Sequence, residues 1–180
     1  MSLGAKIRSR RQLLGLTLDT VAQAAELSKP FLSQVERNHA TPSLSSLHRI
    51  AEALQVNTEY FVTVPTEKET VKRGDKLRFF TLENSPKTYA SLTGNVPNRQ
   101  LEALMVRMPP QAEMEVSSHA GEEFFYMLEG VLCITVDGQE FELRAGDSAH
   151  YLSTAPHLWE NRGAEDVVLI WVGTPTLFDL

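Results

Sequence analysis

The sequence has little cysteine, no long apolar run and no overall excess of positive charge. Its single cysteine, Cys133, excludes an internal disulfide framework and is typical of proteins from a reducing compartment. No stretch approaches the roughly 18 to 20 apolar residues that cross a membrane. The amino terminus also has no apolar run long enough for a signal peptide. We therefore expect a cytoplasmic protein with no membrane partner.

The net charge of −6 conceals an uneven distribution. Residues 1–64 contain seven Lys or Arg and five Asp or Glu, which gives +2, whereas the remainder has ten and eighteen, which gives −8. DNA binding requires positive charge opposite the phosphates and does not require a basic chain as a whole. The acidic total therefore does not exclude a DNA-binding function for the first sixty residues.

In these first sixty residues, apolar side chains recur at helical spacing between capping and turn residues. Thr17 and Ser28 are expected to cap the second and third helices, and Pro30 fits the first turn of the third. Asn38 can take the left-handed position at its end, and residues 41–43 are expected to start a fourth helix. The short connection between helices two and three predicts a helix-turn-helix whose second helix enters the major groove. A helical bundle that binds another protein is the alternative.

The segment LGLTLDTVAQAAELSKPFLSQVERNHATPSLSSLHRIAEAL closely resembles the phage-repressor-like (Xre/Cro-type) helix-turn-helix family. The resemblance implies an all-α, lambda-repressor-like bundle that binds double-stranded DNA. It also implies that Arg11 and Glu36 form a buried structural ion pair. Carried over position by position, it assigns DNA contacts to Thr17, Ser28, Lys29, Pro30, Ser33, Gln34 and Arg37. Within this set Gln34 suits adenine, Lys29 suits guanine or a phosphate, and Arg37 suits a phosphate.

Beyond a polar segment the apolar pattern changes from the period of helices to the period of strands. Runs such as LEALMVRM, VLCITV and VVLIWV are bounded by Gly, Pro, Asn and Asp, and Asp137-Gly138 predicts a hairpin. Some nine strands with no intervening helix predict a sandwich or barrel. We therefore predict two domains, residues 1–64 and 76–180, joined by a linker at 65–75.

The segments SSHAGEEFFYMLEG and GDSAHYLSTAPHLWEN resemble the two signature motifs of the cupin family. The resemblance implies an all-β barrel of the double-stranded β-helix, or jelly-roll, type. Family metal sites use two histidines and a glutamate from the first motif and a histidine from the second. Ser117 replaces the first histidine here, while His119, Glu123 and His157 remain.

Two imidazoles and a carboxylate suit Fe(II), or more weakly Zn(II), Mn(II) or Ni(II). The alternative is a polar cluster that binds an organic ligand or is hydrogen-bonded only within itself. Strand alternation adds an apolar ligand pocket around this cluster. Its predicted lining is Arg107, Ser117, Phe125, Met127 and Trp159.

Together the two halves predict a transcriptional regulator whose barrel senses a small-molecule effector. A homodimer is expected, because paired helix-turn-helix units read two-fold-related half-sites. A second hypothesis is a mononuclear non-haem Fe(II) oxygenase, since the local motif resembles that of hydroxypropylphosphonate epoxidase. A third is a DNA-binding protein whose barrel serves only dimerisation. No catalytic residue is assigned under the first hypothesis.

Overall fold

The computed structural model describes residues 2–62, 70–94, 96, 98–112 and 116–178 of the chain. The described residues fall into two compact units. The first contains residues 2–62 together with two short segments, 82–84 and 177–178, and the second contains the strands. The domain boundaries at 64 and 76 stay a prediction, and residues 65–69 of the predicted linker lie outside the described residues.

In the described part of the chain, the first unit has four α-helices and a 3₁₀ turn at Thr58–Tyr60. The helices are α1 (Leu3–Leu13), α2 (Leu18–Ala24), α3 (Lys29–Glu36) and α4 (Leu44–Ala53). At the start of each helix, the side-chain hydroxyl oxygen of the capping residue accepts a hydrogen bond from a backbone N–H. The capping residues are Ser2, Thr17, Ser28 and Ser43, in the order of the helices. The predicted caps Thr17 and Ser28 are thus confirmed. None of the described helices is long and apolar enough to cross a membrane.

Helices α1 and α3 approach each other closely at Gly4. A Cβ atom at this position would lie 2.3 Å from the carbonyl oxygen of Val35, so a larger residue would push the helices apart. The Gly4 N–H donates to Oδ1 of Asn38 over 3.0 Å. Asn38 has the predicted left-handed backbone, with φ of 58°. It therefore ends α3 and also holds the start of α1.

The ion pair predicted between Arg11 and Glu36 is present and bidentate. Nε of Arg11 donates to Oε1 of Glu36 over 2.7 Å, and Nη2 donates to Oε2 over 2.9 Å. The third nitrogen, Nη1, donates to the carbonyl oxygen of Leu16. The hydrogen bond to Glu36 raises the pKa of Arg11 despite its partial burial. One guanidinium thus ties the end of α1 to the α1–α2 turn and to the end of α3.

The second unit contains nine strands within the described residues, arranged in two antiparallel sheets. The six-stranded sheet has the order β1-β2-β3-β9-β4-β7, and the three-stranded sheet has the order β6-β5-β8. The predicted hairpin at Asp137-Gly138 joins β5 to β6, and both residues have positive φ. The strands are β1 (Phe80–Thr81), β2 (Thr88–Ser91), β3 (Glu102–Met108), β4 (Glu122–Glu129), β5 (Val131–Val136), β6 (Gln139–Arg144), β7 (Ser148–Leu152), β8 (His157–Glu160) and β9 (Val167–Gly173).

Alternation along the strands separates a buried inner face from an exposed outer face. On β4 the buried residues are Glu123, Phe125 and Met127, whereas Phe124 and Tyr126 are exposed. The other inner residues include Leu104, Val106, Met108, Leu132, Ile134, His157, Trp159, Leu169 and Trp171. The inner face is therefore an apolar core that carries a few polar groups.

The prediction that Arg107 lines the pocket is wrong, because the residues of β3 that face into the barrel are not the ones that the prediction assumed. Its buried residues are the even-numbered ones, so Arg107 lies on the outer face. There its guanidinium carbon is 4.7 Å from the centre of the Phe79 ring, a cation–π contact that satisfies the charge without an inward anion.

We expect Arg11→Met to lower the free energy of unfolding of the helical unit by about 3 to 5 kcal/mol, because it leaves the buried Glu36 carboxylate without its partner. Urea unfolding of the full chain, followed by the helical circular dichroism signal, measures this loss. The control is Lys29→Met, which breaks the exposed Lys29–Asp19 pair and should cost less than about 1 kcal/mol. Equal losses in the two variants would contradict the structural role of Arg11.

Candidate functional site

The helix-turn-helix is formed by α2, a sharp turn and α3. Glu26 has a left-handed backbone with φ of 53°, which reverses the chain between the two helices. Leu32 and Val35 of α3 face the core of the unit. The opposite side carries the residues predicted to contact DNA: Lys29, Pro30, Gln34 and Arg37 are exposed and Ser33 is half-buried, while Thr17 and Ser28 are exposed at the helix starts.

Besides the capping hydroxyls of Thr17 and Ser28, two of these side chains have partners in the protein itself. Nζ of Lys29 lies 2.6 Å from Oδ2 of Asp19, in an exposed ion pair between α2 and α3. Nε of Arg37 donates to the carbonyl oxygen of Ser33 over 3.2 Å. Asp19 was not predicted, because its approach to Lys29 depends on how the two helices cross. In the protein without DNA, the ammonium group of Lys29 is therefore paired with the carboxylate of Asp19 at the proposed DNA surface.

In the second unit, His119, Glu123 and His157 converge as predicted. Nε2 of His119 lies 3.0 Å from Oε1 of Glu123, and Nε2 of His157 lies 3.7 Å from Oε2. Glu123 is at the start of β4 and His157 at the start of β8, while His119 lies in the loop before β4. The side chains of Glu123 and His157 are only 3% and 2% exposed. The cluster is thus a buried polar site inside an apolar barrel.

Backbone carbonyl groups determine which nitrogen of each imidazole faces the carboxylate. Nδ1 of His119 is 3.0 Å from the Ala120 oxygen, and Nδ1 of His157 is 2.9 Å from the Ala155 oxygen. A carbonyl oxygen only accepts, so each Nδ1 must carry a hydrogen. In a neutral imidazole the lone pair is then on Nε2, and both lone pairs point towards Glu123. Such an arrangement requires a positive charge between them, either protons or a metal ion.

The electrostatics of Glu123 agree with this requirement. Burial opposes its ionisation, but the hydrogen bond from His119, the charge of His157 and the hydrogen bond from Tyr151 outweigh burial. Together they hold the pKa of Glu123 below its usual value. The carboxylate is therefore charged, and the hydrogen-bond donors and positive charge around it offset the cost of its burial.

The three residues fit a divalent metal ion by geometry and by donor type. Two donor atoms that each lie about 2.1 Å from one ion are about 3.0 to 3.4 Å apart at octahedral or tetrahedral angles. The separations of Nε2 of His119 and Nε2 of His157 from the Glu123 oxygens, 3.0 and 3.7 Å, are close to this spacing, and all three ligand atoms lie within 4.8 Å of one another. Histidines whose Nδ1 donates to a carbonyl are typical of metal ligands.

A second cluster, Cys133, Glu140 and Glu160, has comparable spacing but a different character. Arg162 donates to Glu160 and lies 2.9 Å from Glu140, so an arginine already supplies the positive charge. Glu140 is exposed, and burial raises the pKa of the Cys133 thiol. This cluster is an ordinary surface ion-pair group.

Four of the predicted pocket residues are buried in the barrel that contains the histidine–glutamate site. Phe125, Met127 and Trp159 are buried on the inner face, and the Phe125 and Trp159 rings meet edge to face at 4.6 Å. Ser117 is buried too, in a segment that is not one of the nine strands. Within the described residues it forms an isolated bridge with His157, through two backbone hydrogen bonds.

Sequence reasoning missed Tyr151, which is part of the same site. Its hydroxyl donates to Oε2 of Glu123 over 2.7 Å, and burial raises its pKa. Alternation along β7 puts Ala149 and Tyr151 on the half-buried face and Ser148, His150 and Leu152 on the exposed one, but only the pairing of β7 with β4 brings Tyr151 to Glu123. His150, the exposed neighbour, instead pairs with Glu122 on the outer face.

Both tryptophans of the chain are buried in this barrel, and their N–H groups lack well-aligned acceptors. In the described part of the chain, Nε1 of Trp159 and Nε1 of Trp171 have no hydrogen-bond partner of good geometry. The Trp159 N–H acts on the Tyr151 hydroxyl in the direction of a lower pKa, but burial and the neighbouring Glu123 raise the pKa of that phenol overall. Buried donors without acceptors are uncommon and call for a water or a ligand atom.

Two families match the chain, one for each unit. The helix-turn-helix family HTH_3 matches residues 7–61, and the cupin domain family matches residues 104–173. These matches confirm the predicted fold, an all-α helix-turn-helix domain followed by an all-β cupin domain. The chain is a transcriptional regulator of this two-domain class.

Named relatives extend over nearly the whole chain. The HTH-type transcriptional regulator PuuR of Escherichia coli (strain K12) is 27% identical over 97% of this chain and 96% of its own length. The regulator SutR of the same organism is 26% identical over 92% of this chain and 90% of its own. Both are named as transcriptional regulators, in agreement with the non-enzymatic function predicted.

One solved structure has the same two-domain fold. An HTH_3 family transcriptional regulator from Vibrio cholerae superimposes with a TM-score of 0.60 and 22% identity, over 97% of this chain and 95% of its own. A cupin from Shewanella frigidimarina matches 62% of this chain and 96% of its own length with a TM-score of 0.54 and 22% identity. At these identities the likeness concerns the fold.

Proposed function

We propose that the chain is a homodimeric regulator that binds two-fold-related half-sites in double-stranded DNA and whose barrel senses a small-molecule effector. One observation carries this proposal: the chain combines an exposed, polar start of α3 with a buried cluster in which two imidazoles face one carboxylate. The first suits base recognition and the second suits a cation and a ligand. Such a regulator works in the bacterial cytoplasm, where its DNA lies.

At the DNA surface, Gln34 and Lys29 contact base edges, with Pro30 and Ser33 beside them. Thr17, Ser28 and Arg37 hold phosphates and fix the register of α3. The exposed ion pair between Lys29 and Asp19 is worth about 0 to 1 kcal/mol, so DNA can displace Asp19 from Lys29. Asp19 then repels phosphates at sites where Lys29 finds no base partner, which favours specific over non-specific binding.

In the barrel, His119, Glu123 and His157 hold a divalent ion such as Fe, Zn, Mn or Ni. An ion with three protein ligands has open positions at which a donor atom of an effector can bind. Ser117, Phe125, Met127 and Trp159 then surround that effector. The indole N–H groups of Trp159 and Trp171 supply unpartnered donors, which favour an effector with hydrogen-bond acceptors.

The outer face of the six-stranded sheet is the surface proposed for dimerisation. Phe124 and Tyr126 are 38% and 41% exposed there, beside the half-buried Ile170 and Val172 of the neighbouring strand. Nε2 of His150 lies 3.0 Å from Oε2 of Glu122 on the same face. A second copy is the partner that two-fold DNA recognition requires, and an apolar face suits self-association.

Gln34→Ala should cost about 1 to 3 kcal/mol of binding at one base position, because an amide–adenine pair is lost. Arg37→Ala should weaken binding to all sequences alike and reduce the slope of the salt dependence by about 1. The measurement is fluorescence anisotropy of the full chain on DNA selected from a random pool, at several salt concentrations. Gln12→Ala, at an exposed glutamine of α1, is the control. Unchanged base preference in Gln34→Ala would refute the proposed contact.

Native mass spectrometry with elemental analysis should find one divalent ion per chain in the wild type. Glu123→Gln and His157→Ala should lose this ion, because each removes a ligand, whereas Glu122→Gln at the neighbouring exposed position should retain it. DNA affinity should differ between metal-loaded and chelator-treated wild type and should not differ in Glu123→Gln. If neither ligand variant alters DNA binding with or without metal and metabolites, the barrel serves only dimerisation.

Phe124→Glu should weaken the dimer by at least about tenfold, because two-fold symmetry brings like charges into one apolar interface. Sedimentation equilibrium of the full chain measures the dissociation constant, and binding to a two-half-site DNA should fall in parallel. The matched control is Phe141→Glu, at a phenylalanine of β6 that is 48% exposed. Equal weakening by both variants would place the interface elsewhere.

A further inference from the structure

We infer that Tyr151 is a positioning residue for the metal ligand Glu123 and that it sets how the carboxylate faces the ion. The inference rests on the proposed metal site. It concerns a residue that lies within the second cupin-like segment but is not one of the metal-ligand positions that the resemblance assigns.

Strand pairing places Tyr151 directly beside Glu123. The two residues are cross-strand neighbours on β7 and β4, and both side chains face into the barrel. The Tyr151 hydroxyl donates to Oε2 of Glu123 over 2.7 Å, while Oε1 faces Nε2 of His119 over 3.0 Å. Each carboxylate oxygen thus has its own short contact, and rotation of the carboxylate would break both.

The phenol is itself held by aromatic neighbours. Its ring stacks on Phe125, with centroids 5.8 Å apart and planes inclined by 18°. On another side it lies 5.2 Å from the His157 ring. A side chain packed in this way presents its hydroxyl at a fixed point, so it can orient the more flexible Glu123.

The hydrogen bond from Tyr151 to Glu123 matters more in this chain because the family's first histidine ligand is replaced by Ser117. With serine at position 117, the chain supplies three ligands and leaves more open positions on the ion. A carboxylate free to rotate could bind through both oxygens and occupy one of them. Because Tyr151 donates to Oε2, that oxygen is engaged and the position stays open for an effector atom.

The test is a cobalt(II) titration of the full chain, since the visible bands of cobalt report coordination number. We expect Tyr151→Phe to bind cobalt about 10- to 100-fold more weakly, the usual effect of removing a group that orients a ligand. We also expect its visible absorption to fall severalfold, because Glu123 then binds through both oxygens and the coordination number rises. Tyr60→Phe, at an exposed tyrosine of the helical unit, should match the wild type in both respects.

A second background tests whether Tyr151 acts through Glu123. Glu123→Asp keeps a carboxylate ligand but shortens it by one methylene, away from the phenol. In this background, adding Tyr151→Phe should produce no further change in the cobalt spectrum. The comparison of Glu123→Asp with the double variant also gives a result if the Tyr151→Phe single variant is unstable. Equal effects in both backgrounds would overturn the inference, as would wild-type spectra and affinity in Tyr151→Phe.

The failure of this inference can be told from the failure of the metal site. A folded Tyr151→Phe protein that binds no cobalt would make Tyr151 a ligand, which also overturns the positioning role. A wild type that binds no cobalt would refute the metal site and the inference together. Cobalt binding by the wild type with no effect of Tyr151→Phe would refute the inference alone.

Discussion

One buried carboxylate, that of Glu123, sets the chemistry of the barrel. Taking a negative charge out of water is costly unless donors surround it, and here an imidazole and a phenol lie within 3.0 Å. A second imidazole lies at 3.7 Å. These donors come from a loop, from β7 and from the start of β8, so the charge fixes the relative positions of three separate pieces of chain. The outward orientation of the Nδ1–H groups follows from the same need.

The helical unit also contains a buried carboxylate, and another side chain of the same unit supplies its positive partner. Its buried carboxylate, Glu36, is matched by the guanidinium of Arg11, whose two nitrogens meet both oxygens. An arginine cannot be exchanged for a metal or a metabolite, so this pair serves stability alone. The two glutamates differ in their partners: a bidentate guanidinium satisfies both oxygens of Glu36, whereas an imidazole and a phenol are the groups closest to the oxygens of Glu123.

Local signals predicted much of this molecule. The caps Thr17 and Ser28, the left-handed Asn38 and the hairpin at Asp137-Gly138 each depend on a few neighbouring residues, and all were confirmed. Motif spacing also brought His119, Glu123 and His157 together correctly. What failed depended on phase or on contacts between elements. Alternation fixes which residues share a face, but nothing in the run LEALMVRM alone says which face is inside, so Arg107 was assigned to the wrong one.

The roles of Asp19 and Tyr151 needed knowledge that a linear pattern does not hold. Asp19 meets Lys29 because two helices cross at a particular angle, and Tyr151 meets Glu123 because β7 pairs with β4 in a particular register. Asp19 pairs with the predicted DNA-contact residue Lys29, and Tyr151 donates a hydrogen bond to the predicted metal ligand Glu123. Sequence patterns thus located Lys29 and Glu123, whereas their partners were found only from the tertiary structure.

Leu177 and Phe178 have a consequence for how such chains can be recombined. Both are buried in the helical unit, where the Leu177 carbonyl oxygen lies 3.2 Å from Nδ1 of His48, although they follow the last strand of the barrel. A helical half excised at residue 62 would therefore expose apolar atoms that these residues cover. Exchange of barrels between regulators, in the laboratory or in evolution, must carry the last few residues along with the helices and not with the barrel.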